Sequence, residues 1–198
     1  MKSLCVYCGS SFGKQPVYAD AARLLAKEMV ARDIRLVYGG GKVGLMGVIA
    51  DEVLKLGGAA TGVIPQALFD KEVGHTGLTE LRVVQDMHER KALMAELAEG
   101  FVALPGGIGT LEELFEILTW AQLGFHQKPV GVLNVGGFYE GLVAFLQMQV
   151  AQGFVKDSQA ALLLHDASAP ALIERMQHYL PQQSTKLQDA LAAQQLFR

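Results

Sequence analysis

Twice in this chain a short apolar run ends in a glycine-rich turn that opens directly onto a helical pattern, and this punctuation restricts the fold more than any other feature. Leu36-Val37-Tyr38 leads into Gly39-Gly40-Gly41-Lys42-Val43-Gly44 and then Leu45-Met46-Gly47. Phe101-Val102-Ala103-Leu104 leads into Pro105-Gly106-Gly107-Ile108-Gly109-Thr110-Leu111-Glu112-Glu113. A strand that passes through glycines into a helix can bind an anion there. Glycine lets the backbone approach a ligand, and the unpaired N–H groups at the helix start, with the positive end of its dipole, favour a phosphate. The second turn ends in two carboxylates, which a plain phosphate cradle would avoid. It therefore predicts a site that holds an anion at one end and manages positive charge at the other.

The same alternation runs the length of the chain. Apolar runs predict strands over Ser3 to Cys8, Leu36 to Tyr38, Ala59 to Ile64, Leu81 to Val84, Phe101 to Leu104, Val130 to Leu133 and Ala161 to Leu164. Helical periodicity predicts helices over Val17 to Arg32, Leu45 to Leu56, Met87 to Ala98, Thr110 to Leu123, Tyr139 to Gln152 and Ala169 to Tyr179. With 198 residues, 51% of them apolar and 19% charged, the chain suffices for one well-buried domain. The expected fold is α/β: a single Rossmann-like, doubly wound domain over 1–180, with a mostly parallel sheet of about seven strands. A tail over 181–198, rich in Gln and Ala, is left open between a terminal helix and partial disorder. Between Gln66 and Glu80 no period is evident, and a loop of that length in a compact domain is often functional.

Charge and composition exclude several partners. A net charge of −3 without any Lys/Arg run leaves no electrostatic footprint for nucleic acid or an anionic membrane. No apolar stretch reaches the roughly 18 residues of a spanning helix, so a soluble, cytoplasmic protein with a small-molecule ligand is expected. Cys5 and Cys8 lie three apart on one strand, which sends them to opposite faces as buried, reduced thiols. The five histidines, His75, His88, His126, His165 and His178, form no ligand cluster, and no metal is implied.

Each candidate site residue has a structural reading beside the functional one. Gly39 to Gly44 contains G-x-G-x-x-G, but the next strand ends in Ile64-Pro65-Gln66 without the acidic residue a dinucleotide site needs. Leu45 and Met46 also rule out a Walker A loop, which leaves Gly39, Gly40, Gly41 and Gly44 as either a phosphate loop or a tight turn. Thr110 and Glu113 have capping-box spacing, as do Asp86 and Glu89. Arg90 and Lys91 fall near the start of a helix, where cations oppose the dipole, so an anionic ligand or Glu113 is their expected counterpart. Met87, Met94 and Leu97 read as core, and Trp120 as packing.

Gly39-Gly40-Gly41 with Gly44-Leu45-Met46-Gly47, Met87-His88-Glu89-Arg90-Lys91 with Met94, and Pro105 to Glu113 together resemble the LOG ("Lonely Guy") family. The likeness continues through Trp120-Ala121-Gln122-Leu123-Gly124 and Lys128-Pro129-Val130-Gly131. Members of that family are cytokinin riboside 5′-monophosphate phosphoribohydrolases, often mislabelled as lysine decarboxylases. The resemblance implies hydrolysis of the N-glycosidic bond of an adenine nucleoside 5′-monophosphate, to free base and ribose 5-phosphate, without a cofactor. It places the catalytic pair on Arg90 and Glu113. It places nucleotide binding on Glu72, Arg90, Lys91, Gly107, Ile108, Gly109, Thr110, Leu111, Glu112, Glu113 and Thr119. It also implies a homodimer with the site near the subunit interface.

The implied chemistry agrees with the residues. Breaking the C1′–N9 bond develops cationic character on the ribose, which the Glu113 carboxylate would stabilise while it orients or deprotonates water. Arg90 would position the nucleotide and meet charge on the departing base. Two rivals stand beside this reading. One is a carrier of related fold that holds a phosphorylated ligand uncleaved. The other is a decarboxylase, which would need a Schiff-base lysine that the contexts of Lys42, Lys91 and Lys128 do not mark.

Overall fold

A computed structural model describes residues 1–71 and 74–181. Glu72 and all of the tail from 182 onward lie outside the described residues.

The strands are β1 (Ser3–Tyr7), β2 (Arg35–Tyr38), β3 (Ala60–Pro65), β4 (Glu80–Val84), β5 (Phe101–Ala103), β6 (Val130–Leu133) and β7 (Leu163–Asp166). They pair in the order β4-β3-β2-β1-β5-β6-β7, and every pairing is parallel. The helices are α1 (Pro16–Ala31), α2 (Gly44–Lys55), α3 (Gln66–Phe69), α4 (Met87–Leu97), α5 (Ile108–Leu123), α6 (Glu140–Ala151), α7 (Asp157–Ala160) and α8 (Ala169–Gln177). A 3₁₀ turn spans Val135–Gly137.

Side-chain alternation along the strands creates two cores. Leu4, Val6 and Cys8 face one side with Leu36, Tyr38 and Val102, against α1, α2 and α8. Cys5 and Tyr7 face the other with Val37, Phe101 and Val132, against α4 and α5. The two thiols therefore sit on opposite faces, both unpaired, as the spacing predicts. Full burial of each large aliphatic side chain, such as Leu25, Leu36 or Ile49, contributes on the order of 1.5–3 kcal/mol.

The chain runs outward from β1 to β4 on one side, then crosses back to β5 and runs outward again to β7. The strand order reverses between β1 and β5, and a crevice opens at the carboxyl edge of such a reversal. The loops after β1 and β5 are tied together there: the Gly9 N–H donates to the Pro105 carbonyl at 3.1 Å. The loop after β2 joins them. Gly44 has φ +64°, and a side chain on it would run into the backbone of Ser10. The Leu45 N–H donates to the Gly9 carbonyl at 3.0 Å.

Several boundaries differ from the sequence expectation. Strand β7 begins two residues later than Ala161, because Asp157–Ala160 close a short helix first. Helix α5 begins at Ile108 rather than Thr110. Among its described residues, the stretch from Gln66 to Glu80 holds α3 and an antiparallel bridge between Gly41 and Gly74. Helix α6 matches its predicted extent, yet none of its residues is fully buried: Leu142 and Leu146 lean on the core, while Phe145 and Met148 face outward.

Candidate active site

A cleft of about 350 Å³ occupies the crevice between the β1 and β5 loops. Its walls come from five places: the end of β1 with Gly9 and Ser10, Gly39 and Met46 around the β2 turn, Leu68 of α3, Met87 and Arg90 of α4, and the start of α5. All are carboxyl-end connections of parallel strands. The volume lies within the roughly 300–1,000 Å³ typical of small-molecule sites.

Helix α5 turns its uncapped N-terminus toward one end of the cleft. Its N-cap is Gly107, in extended conformation and without a side-chain cap, so the first N–H groups are left for a ligand. A Cβ at Gly107 or Gly109 would meet nothing within 4 Å; the protein's own packing does not require glycine at either place. Open space on that side lets a ligand come against the backbone. Ile108 points into solvent, and Thr110 is buried with its hydroxyl over Gly106, where any Cβ would collide with it. This corrects the capping box expected of Thr110 and Glu113. The glycine turn delivers the chain into the helix two residues early, so Thr110 is a helical residue and Glu113 is released from capping.

Glu113 is instead paired with Arg90, whose Nη1 donates to its carboxylate at 2.8 Å. Both side chains are 11% exposed. The guanidinium also donates from Nε to the Val63 carbonyl at 3.1 Å, and Gly39 lies so close that a Cβ there would fall on it. Strand β3, the turn after β2 and helix α5 thus surround one cation. Burial raises the Glu113 carboxyl above its ordinary value, and the Arg90 charge offsets that only in part. A carboxyl raised by burial beside a fixed guanidinium can serve as a proton acceptor and can face developing positive charge.

At the head of α4, Asp86 accepts from the His88 and Glu89 N–H groups at 2.8 Å, which lowers its carboxyl, and so caps the helix. Glu89 reaches back to the Gln85 N–H, one residue beyond the expected partner. The cationic pair that opposes the helix dipole finds protein carboxylates on both counts. Lys91 donates to Glu112 at 2.5 Å and to Glu116 at 3.0 Å. Burial works against its ammonium, but those two carboxylates outweigh it and hold the pKa above the ordinary lysine value.

The structure brings Arg90, Gly107, Ile108, Gly109, Thr110, Glu112, Glu113 and Gly39 to the cleft. Lys91 and Leu111 stand beside it without lining it, and Leu111 packs on the core. Thr119 is exposed farther along α5, its hydroxyl donating to the Phe115 carbonyl at 2.6 Å. Gly40, Gly41 and Gly44 also lie outside the lining: Gly40 packs on Ile64, Gly41 bridges Gly74, and Gly44 packs on Ser10. Met87 is not core as expected; it is 39% exposed and lines the cleft. Met94 is buried, and Leu97 and Trp120 pack against the core as expected.

Tyr7, Ser10, Met46 and Leu68 were not legible as site residues. The available signal was Gly9-Ser10-Ser11, a third small-residue turn after a strand. Tyr7 and Cys8 form part of the floor, where burial pushes both the phenol and the thiol well above their ordinary values. Among the described residues no three His, Cys, Asp or Glu side chains are grouped to hold a metal, and no lysine lines the cleft.

A family model described as possible lysine decarboxylase matches residues 46–176. The chain is 52% identical over 180 residues to the probable cytokinin riboside 5′-monophosphate phosphoribohydrolase LOGL9 of Oryza sativa subsp. japonica, covering 91% of this chain and 79% of that one. It is 49% identical, with the same coverage, to the cytokinin riboside 5′-monophosphate phosphoribohydrolase LOG5 of Arabidopsis thaliana. Among solved structures, the molybdenum cofactor carrier protein of Chlamydomonas reinhardtii superposes with a TM-score of 0.68, covering 89% of this chain and 98% of that one. At 19% identity that likeness is one of fold. Sequence kinship spans nearly the whole described chain and includes the cleft segments on α2, α4 and α5: the chain belongs to the LOG family.

Proposed function

We propose that this protein hydrolyses the N-glycosidic bond of adenine nucleoside 5′-monophosphates, AMP and its N6-prenylated counterpart, giving free base and ribose 5-phosphate. The observation that carries this reading is the buried Arg90–Glu113 pair, set one turn into a helix whose first N–H groups open on the same cleft. The 5′-phosphate takes the α5 N-terminus between Gly107 and Thr110. That seats the ribose within reach of Glu113.

As the C1′–N9 bond breaks, its electron pair leaves with the base and C1′ becomes cationic. The Glu113 carboxylate stabilises that charge and accepts a proton from the water that adds to C1′. Arg90 positions the nucleotide and stabilises the electron pair on the departing base, which takes up the proton. Glu72 and Lys91 complete the binding set in this reading.

We further propose a homodimer. Helix α6 is apolar but has no fully buried residue, and Phe145 and Met148 are about half exposed, at 49% and 52%. Thr119 and Phe115 stand on the outer face of α5, away from their own cleft, where they could reach only a nucleotide held by a second copy. Light scattering at micromolar concentration tests this, and a monomer overturns it. No described helix is long and apolar enough to cross a membrane. We retain the cytoplasm as the location, in keeping with the two unpaired thiols.

Incubation with AMP and with isopentenyladenosine monophosphate, followed by chromatography, should show free base and ribose 5-phosphate. Release from neither overturns the hydrolase; a nucleotide that stays bound and intact identifies a carrier.

A further inference from the structure

His75 lies outside the cleft lining, yet it is 4% exposed and held at both ring nitrogens. The Gly77 N–H donates to Nδ1 at 3.1 Å, and Nε2 lies 2.9 Å from Asp51 Oδ1 on α2. Because Nδ1 accepts, the ring proton is on Nε2 and is donated to the carboxylate. The backbone is tied as well, since the His75 N–H donates to the Gly40 carbonyl at 3.0 Å. One residue thereby fastens the connection between β3 and β4 to both α2 and the β2 turn.

Each of those attachments leads to the cleft. Gly40 follows Gly39, where an added Cβ would fall on the Arg90 guanidinium. Gly74, beside His75, leaves no room for a Cβ because the Phe69 ring lies there, and Phe69 follows Leu68, which lines the cleft. An imidazole presents an acceptor and a donor on opposite edges of one rigid ring, so it can serve both partners at once. Loss of the ring leaves the Gly77 N–H unpartnered and releases the connection from α2.

We propose that His75, through Asp51, is a positioning residue for the nucleotide site, setting the wall of Gly39 and Leu68 against which Arg90 and the bound nucleotide stand. This rests on the hydrolase reading. His75→Ala and Asp51→Ala should each raise KM for AMP by about tenfold while kcat changes less than about threefold. His75→Gln, whose side-chain amide can still donate to Asp51, should restore most of the loss. A purely structural role would instead lower the melting temperature and leave KM and kcat within about twofold of wild type in both alanine variants, and that result overturns the proposal. Asp51 is largely exposed, at 63% for its side chain, so its variant decides the matter if His75→Ala does not fold. If the wild type releases no base, the hydrolase reading fails separately. Calorimetric AMP affinity of the same variants then decides: weakened binding supports the positioning role, and unchanged binding overturns it.

Discussion

Arg90 and Glu113 hold each other at 2.8 Å from two different helices, 23 residues apart in sequence, with the guanidinium fixed on its other side by the Val63 carbonyl. Neither charge would be tolerated alone at that depth, and each is held in one orientation by the other. The pair therefore enters any reaction already oriented, with little side-chain freedom left to lose.

Glu113→Gln keeps the shape and one acceptor oxygen but removes the proposed base. Turnover should fall by about 10²–10⁴ while nucleotide affinity stays within a few-fold. Arg90→Ala should damage both. Single-turnover kinetics with calorimetric binding separates the two effects, and wild-type turnover in Glu113→Gln would refute the assigned role.

The pH profile follows from the environment of Glu113. Burial raises its carboxyl above the usual 4.5 and Arg90 pulls it partly back. In the proposed mechanism the working form is the carboxylate, so kcat/KM should rise with pH through that elevated value. Replacing the guanidinium, as in Arg90→Gln, should move the residual activity's midpoint to still higher pH. The sign for stability is the reverse: a raised folded-state value favours the protonated native form. That contribution is complete below the ordinary value and is lost as pH rises through the folded one. Melting temperature against pH for wild type and Glu113→Gln reads it directly, with the difference growing as pH rises from the ordinary carboxyl value through the raised one.

Two glycines of the cleft should answer alanine differently. At Gly109 a methyl meets nothing, so Gly109→Ala should fold at least as well as wild type, gaining up to about 1 kcal/mol of helix stability. It should nonetheless weaken nucleotide binding by crowding the phosphate seat. At Gly39 the methyl would fall on the Arg90 guanidinium, and Gly39→Ala should lose activity even where it folds. Unimpaired AMP binding in Gly109→Ala would contradict the proposed seat.

Lys91 is engaged by Glu112 and Glu116, with its side chain 12% exposed. Lys91→Met should lower stability by about 1–3 kcal/mol, because two carboxylates one helical turn apart lose their shared cation. KM for AMP should rise less than in Arg90→Ala. A large KM effect without loss of stability would mark Lys91 as a direct phosphate ligand.

The strands and most helices were legible because periodicity and glycine punctuation are local. Arg90 and Lys91 were legible for the same reason: cations at the start of a helix violate a local rule and require a partner. What the sequence concealed was tertiary. Met87 follows the pattern of a core residue, and only the placement of α4 over the crevice turns it into a cleft wall. Of the four glycines in the β2 turn, Gly39 alone meets the cleft, because the others face Ile64, Gly74 and the Ser10 backbone. Spacing cannot assign such neighbours. The Thr110 box failed because a glycine turn can enter a helix at more than one residue.

Every described residue lining the cleft lies at or before Glu113, although β6, β7 and α6 to α8 follow. During synthesis the whole cleft lining would leave the ribosome while β5, only three residues long, still lacked its outer neighbour β6. Without β6, the backbone N–H and C=O groups on the outer edge of Phe101–Ala103 would stand unpaired. The chain from Val130 onward thus completes the sheet that carries the site without lining the cleft, and a truncation ahead of β6 should lower the melting temperature of the whole fold although it removes no cleft residue.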